Sequence, residues 1–360
     1  MTGTPHLLIA PELFKAEGGI ARVSRLYLQA IAESFPESTL KVVVLNDAEV
    51  SPSGQSRYKA SNAETIVCSR SKIRCAHAIW SAVRISGTRV ICTHVHLAPL
   101  LWLAKQLGQK FEYDIVVHGI EVWKPVTRLQ KLALNSARRI LSISEFTRRD
   151  MLSRYPNLEE KIVILPNALD PSFSQSSDSA NDTVPDTILT VSRLAAHDRT
   201  KGIDHLIEAM PKILETHPSA RLRIVGEGSD RIRLEKLATA SEASAQIQFL
   251  GFVPDERLKQ EFTQCTLFAL PSKKEGFGLV YLEAMAAGKP CIVAAAGGAP
   301  EVIDQDSGLI VPYGDIEQIA SAISSALVVQ WDAGKIRARA QHFSFPAFVQ
   351  RWNALSSTSS

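Results

Sequence analysis

Two glutamates, Glu275 and Glu283, carry side chains suited to gripping a hydroxylated ligand. Glu275-Gly276-Phe277-Gly278 reads as a turn. Leu279–Ala287 then sets Leu, Tyr, Leu, Ala, Met and Ala at helical spacing, with Gly288 as a stop and Pro290 just beyond. A helix N-terminus carries about half a positive charge and points unpaired N–H groups outward, which suits phosphate. One carboxylate in the turn and another about a turn into the helix could hold two hydroxylated parts of one ligand. The plainer alternative is a turn-closing Glu275 and a solvated Glu283.

Cations stand at another strand end. Ser192-Arg193-Leu194 follows the strand-like Thr187–Val191, and Arg199-Thr200-Lys201-Gly202 precedes a helix. Arginine offers a planar fork and lysine a compact charge, and both suit a diphosphate. A solvated charged loop is the alternative. Gly226-Glu227-Gly228 closes the next strand and lets a ligand approach the backbone. In the first half, His118-Gly119-Ile120-Glu121-Val122-Trp123 puts an imidazole, a carboxylate and an indole where an apolar strand turns polar. The competing reading there is a histidine capping loop carbonyls. Glu17-Gly18-Gly19-Ile20 opens a helix after the first strand, but it is not G-x-G-x-x-G, so a dinucleotide site is poorly supported. Ser142–Thr147 reads as a capped helix start. His94 and His96 have no third ligand nearby, which argues against a metal.

The elements that must position these residues alternate. His6–Ala10, Lys41–Leu45, Thr65–Cys68, Val90–Thr93, Ile115–His118 and Ile140–Ser142 read as short buried strands. Between them fall the amphipathic stretches Ile20–Phe35, Ile73–Ile85, Val126–Arg138 and Glu145–Tyr155. Pro171–Asp186 is rich in Ser, Asp and Pro and reads as a linker. Alternation then resumes with strands Thr187–Val191, Arg221–Val225, Gln246–Leu250, Thr266–Leu270 and Cys291–Ala294. The intervening helices are Ile203–Glu215, Arg231–Ser241, Glu256–Thr263 and Leu279–Ala287. The pattern predicts two Rossmann-like, doubly wound parallel α/β domains, 1–170 and 187–342, with ligands at the carboxyl ends of the strands and a cleft between the domains. Phe348, Val349, Trp352 and Leu355 recur at helical spacing, so 343–355 is expected to pack back toward the first domain.

Composition narrows the class. A formal charge of +3 over 360 residues is too mild for a nucleic-acid binder. Five cysteines, without a CxxC pair, read as reduced buried thiols. Leu97–Ala104 is far short of a membrane span, and Met1–Pro5 does not open a signal peptide. These features point to a cytoplasmic chain, or one resting peripherally on the inner face of the plasma membrane. Arg128, Lys131, Arg138, Arg139, Arg148 and Arg149 beside apolar helical residues could suit anionic headgroups, and a solvated basic face is the alternative.

Together these residues resemble family 4 of the retaining, nucleotide-sugar-dependent glycosyltransferases, which have the GT-B fold. The likeness runs through Gly18-Gly19, His118-Gly119, Ser144-Glu145, Pro166-Asn167 with Asp170, Ser192-Arg193, Lys201-Gly202, Gly226-Glu227-Gly228, Glu275 to Glu283, and Gly297-Gly298 with Pro300-Glu301. The resemblance implies that Arg193 and Lys201 bind the donor diphosphate, Glu283 ribose hydroxyls, and Glu275 the transferred sugar beside the Phe277, Gly278 and Leu279 amides. It implies that His118 meets the sugar near the reacting carbon, and that Gly18 and Gly19 border diphosphate and acceptor. Gly226 and Val253 would line the donor site, with base choice resting on backbone near Gly251-Phe252-Val253. No metal and no cofactor are implied beyond the GDP- or UDP-linked donor. The expected partners are a nucleotide sugar and a glycan or lipid-linked acceptor, with mannose from GDP-mannose favoured and glucose from UDP-glucose next. The loop from Ala195 to Thr200 is longer than the family's usual link and adds a cation, Arg199. The rivals are a GT-B-shaped UDP-sugar epimerase and a non-catalytic nucleotide-sugar-binding protein.

Overall fold

The computed structural model describes residues 3–14, 18–50, 63–173 and 183–357. Glu17, residues 174–182 of the expected linker and the last three residues of the tail lie outside them. The chain divides into two compact units, Met1–Asp170 with Phe345–Ser360, and Pro171–Ser344.

Unit 1 is built on seven parallel strands in the order β3-β2-β1-β4-β5-β6-β7. These are β1 Gly3–Ala10, β2 Ser38–Val44, β3 Glu64–Val67, β4 Arg89–Cys92, β5 Glu112–Val117, β6 Arg139–Ser142 and β7 Ile162–Ile164. Its helices are α1 Gly19–Ser34, α2 Lys72–Val83, α3 Ala98–Gln106, α4 Arg128–Ser136 and α5 Glu145–Arg154. Such strands are apolar because helices cover both faces of the sheet. Leu7, Leu8, Ile9, Ile115, Val116 and Val117 are fully buried. The apolar run from Leu97, too short for a membrane, is where α3 forms.

A carboxylate lies within a central strand of this core. Asp114 sits within β5, and Arg138 and Arg139 at the start of β6 meet its carboxylate at 3.2 and 2.7 Å. A buried carboxylate is tolerable only when paired in this way. The pairing corrects the expected basic surface. Arg138 and Arg139 are turned inward, Arg148 is bonded to Glu145, and only Arg128, Lys131 and Arg149 of the six stay exposed.

Unit 2 has six parallel strands in the order β10-β9-β8-β11-β12-β13. They are β8 Thr187–Val191, β9 Arg221–Val225, β10 Ile247–Gly251, β11 Leu267–Leu270, β12 Cys291–Ala294 and β13 Gly308–Val311. The helices are α6 Ile203–Thr216, α7 Arg231–Ala240, α8 Asp255–Gln264, α9 Leu279–Ala286, α10 Ile316–Val328 and α11 Ala333–His342. Every residue of β11 and β12 is buried. The last helix, α12 Phe345–Ser357, belongs to unit 1. Phe348 and Trp352 present ring edges to the buried Tyr27 of α1, with centroids at 5.3 and 5.6 Å.

All five cysteines are buried and free. Burial pushes the Cys75, Cys92 and Cys265 thiols up to about 12, so they stay protonated. No helix among the described residues is long and apolar enough to cross a membrane.

Candidate active site

In a parallel sheet the open ground for a ligand lies where strand order reverses, beyond the carboxyl ends. In unit 2 that point falls between β8 and β11. The chain leaves β8 through Ser192–Leu194, which is clasped by the loop after β9. Ser192 N donates to Val225 O at 3.0 Å, and Leu194 N to Glu227 O at 2.9 Å. Gly226 makes the clasp possible, because a Cβ there would lie 1.8 Å from Ser192 O at a φ of +139°. Its glycine is therefore explained by loop packing before any ligand is invoked.

Farther along, a 3-10 turn over Arg199–Lys201 is tied across the reversal. Lys273 N donates to Thr200 O at 2.8 Å, and Ser272 Oγ to the same oxygen at 3.3 Å. This brings Lys201 Nζ to 2.9 Å from Glu275 Oε2, with each side chain about four-fifths buried (18% exposed). Burial works against the lysine's charge. Glu275, with the Asp198 carboxylate adding to it, offsets burial, so the Lys201 pKa lies above the ordinary value. Glu275 itself is set by Gly298 N, which donates to its carbonyl at 2.7 Å. Arg193 and Lys201 line one pocket, together with Asp198, Arg199, Asp230 and Arg233.

Beyond Glu275 the turn closes on Gly278 at φ +94°, where a Cβ would lie 2.3 Å from the Tyr281 ring. The Tyr281 hydroxyl donates to Leu270 O at 2.7 Å and pins α9 to β11. Glu283 is not the solvated residue of the plainer alternative; it is 3% exposed. Phe277 is also buried, edge-on to Phe343 at 5.5 Å, so only its backbone could meet a ligand. Leu279, at the first position of α9, and Val253, between β10 and α8, are both half-buried.

In unit 1 the reversal falls between β1 and β4. Gly18 caps α1 without a side-chain bond, and Gly19 is its first residue. Both are exposed, neither has positive φ, and a Cβ on either would meet nothing within 4 Å. Neither glycine is demanded by the fold.

His118 follows β5 and leans toward β4. Its Nε2 lies 2.6 Å from Thr93 O. A carbonyl only accepts, so Nε2 carries the hydrogen and Nδ1 is left as the lone-pair atom of the neutral ring. Thr93 is fixed in turn, its hydroxyl donating to Ile9 O at 3.2 Å and standing 2.8 Å from Ser24 Oγ of α1. Against His118 stacks His94, with centroids at 5.8 Å. Its Nδ1 accepts from His96 N at 3.2 Å, and burial, with His118 and His96 beside it, lowers its pKa to about 3. His94 is a neutral wall, not a proton carrier.

The structure thus joins Arg193, Lys201 and Glu275 in unit 2 and ties His118 to Thr93 and Ser24 in unit 1. Sequence reasoning missed Thr93, Ser24, Asp230 and the role of His94. Ser24 leaves a signal in its spacing, as a polar residue three or four positions from apolar Ala21, Tyr27 and Leu28 on one face of α1.

Two family profiles match the chain: Glycosyltransferase Family 4 over residues 27–173 and Glycosyl transferases group 1 over residues 173–342. An uncharacterized glycosyltransferase of Methanocaldococcus jannaschii is 32% identical over 203 residues, 53% of this chain and 50% of its own length. A GDP-mannose-dependent monoacylated alpha-(1-6)-phosphatidylinositol monomannoside mannosyltransferase of Corynebacterium glutamicum is 31% identical over 256 residues, 64% of each chain. This chain therefore matches about half to two thirds of these relatives' lengths. Among solved structures, Anabaena HepE in complex with UDP superposes with a TM-score of 0.77 at 19% identity, covering 98% of this chain and 100% of that one. At that identity the likeness shows the fold alone, which is GT-B.

Proposed function

This chain belongs to the glycosyltransferases of group 1 and family 4, and from that premise we propose a retaining hexosyltransferase acting on a glycan or a polyprenyl-diphosphate-linked oligosaccharide. The observation that carries the reading is the Lys201–Glu275 contact at 2.9 Å where strand order reverses. It sets a cation suited to diphosphate beside a carboxylate suited to sugar hydroxyls. Mannose from GDP-mannose is the favoured donor, in keeping with the name of the Corynebacterium relative. Glucose from UDP-glucose is next, since the Anabaena neighbour holds UDP.

As the bond from the sugar's anomeric carbon to the diphosphate breaks, positive character grows on that carbon and negative charge on the leaving oxygen. Arg193 and Lys201 stabilise that oxygen with side-chain cations in place of a metal. Glu275 holds the sugar hydroxyls, Glu283 the ribose, and the amides at the start of α9 the polar groups nearby. His118 offers Nδ1 to a sugar hydroxyl. The acceptor hydroxyl attacks from the leaving-group face and passes its proton to the departing diphosphate, so configuration is retained without a protein nucleophile. The acceptor's membrane is met by α4, where Leu129 and Leu132 are 52% and 42% exposed beside Arg128 and Lys131.

The test is product analysis with GDP-mannose and UDP-glucose, with and without EDTA, using a lipid extract as acceptor. A new glycosidic bond of the donor's anomeric configuration, formed equally well in EDTA, is expected. An isomerised free nucleotide sugar would point instead to an epimerase. A donor that stays intact would point to a binding protein.

A further inference from the structure

The extra cation of the loop after β8 is not spent on structure. Arg199 is 55% exposed and touches Asp230 through Nε at 3.1 Å. Its two terminal amino groups have no partner among the described residues. Asp230 does not depend on it. Arg233 donates through Nε to both carboxylate oxygens, at 2.9 and 3.0 Å, and through Nη2 at 2.7 Å. Those bonds, more than Arg199, hold Asp230 below the usual carboxylate value against the effect of burial.

The pocket's other cations leave a need. Lys201 shares its charge with Glu275, and Arg193 stands exposed at the rim. A diphosphate brings two to three negative charges on oxygens spaced for an arginine fork, so two such cations leave charge uncompensated. The backbone beside Arg199 is anchored. Thr200 Oγ1 donates to Asp198 at 2.6 Å, and Thr200 O accepts from Lys273 N and Ser272 Oγ. Only the Arg199 side chain has to turn.

We propose that Arg199 is a third diphosphate-binding residue, resting on Asp230 until a nucleoside diphosphate draws its guanidinium into the pocket it already lines with Arg193 and Lys201. This rests on the reading of that pocket as the donor diphosphate site. The pair is open to solvent on the arginine side, 55% exposed against 5% for Asp230, and meets the carboxylate through Nε, whereas a fork on phosphate is among the stronger polar contacts, so the exchange runs toward the ligand. Asp230 is left with Arg233 and is not stranded.

Calorimetric titration of the full chain with UDP, GDP and the matching monophosphates tests this, with Arg199→Ala, Arg199→Lys and Asp230→Asn beside wild type. For the preferred diphosphate, Arg199→Ala is expected to weaken binding about tenfold. The monophosphate changes about twofold or less, and Arg199→Lys recovers part of the loss. Asp230→Asn frees Arg199 and binds the diphosphate at least as tightly as wild type. Equal weakening in Arg199→Ala and Asp230→Asn would mean that the pair merely braces the loop, and it overturns the proposal. Unchanged diphosphate affinity in Arg199→Ala overturns it as well, with the reading of the pocket left standing. A wild-type chain that takes up neither UDP nor GDP sinks both.

Discussion

Lys201 and Glu275 should behave as one unit, and a double-mutant cycle on Lys201→Met and Glu275→Gln measures how far they do. At 2.9 Å and an effective dielectric of about 20, the gross attraction of the pair is about 6 kcal/mol. Most of that is cancelled by the cost of taking both charges out of water, because each side chain keeps only 18% of its exposure. Removing one partner leaves the other buried and unmatched, so each single variant should lose about 2–3 kcal/mol in urea unfolding. The double variant should lose less than the two together, by a coupling of about 1–3 kcal/mol. Losses that add to within about 0.5 kcal/mol would show that the contact does not exist in solution. The same variants separate the two chemical roles. Lys201→Met should lower turnover by about two to three orders of magnitude and also weaken free nucleoside diphosphate. Glu275→Gln should spare nucleoside diphosphate affinity to within a few-fold while turnover falls. Equal effects of both variants on diphosphate affinity would contradict the division of labour.

Three further outcomes follow from the geometry. Gly226→Ala places a Cβ 1.8 Å from Ser192 O and should cost at least about 2 kcal/mol by urea midpoint. Gly18→Ala meets nothing within 4 Å and should stay within about 0.5 kcal/mol of wild type; a matching cost there would refute the assignment of open space. Long-range proton–nitrogen NMR should find the neutral His118 ring protonated on Nε2, and an Nδ1-protonated ring would remove the Thr93 tether. Stability should also fall in mild acid. Burial, together with the Arg89 charge, lowers His6 to about 4, and burial lowers His94 to about 3, so the fold keeps both rings neutral. Each contribution is complete above the unfolded value near 6.5 and is lost as pH falls toward the folded one. Between pH 7 and 5 the two should together cost on the order of 2–4 kcal/mol. A urea midpoint that is flat across that interval, or that rises toward pH 5, would contradict the burial of both rings.

The sequence by itself determined the layered α/β plan and most of its strands. Strands covered on both faces must be apolar throughout, as in the LFAL of β11 and the CIVA of β12, so they stand out without any knowledge of their neighbours. The glycine turn and helical spacing that open α9 were equally plain. β7 and β13 were not legible: they are the edge strands of their sheets and only partly buried, with Ile164 and Ile310 exposed at 38% and 52%, so burial on both faces does not mark them out. Tertiary structure alone decided the partners. Lys201 and Glu275 stand 74 positions apart, Arg139 and Asp114 on neighbouring strands 25, and no local pattern links either pair. Three residues of a strand look the same whether or not a carbonyl beyond it will take the hydrogen of His118. Charge and burial are properties of neighbours, and neighbours are set only when the sheet closes.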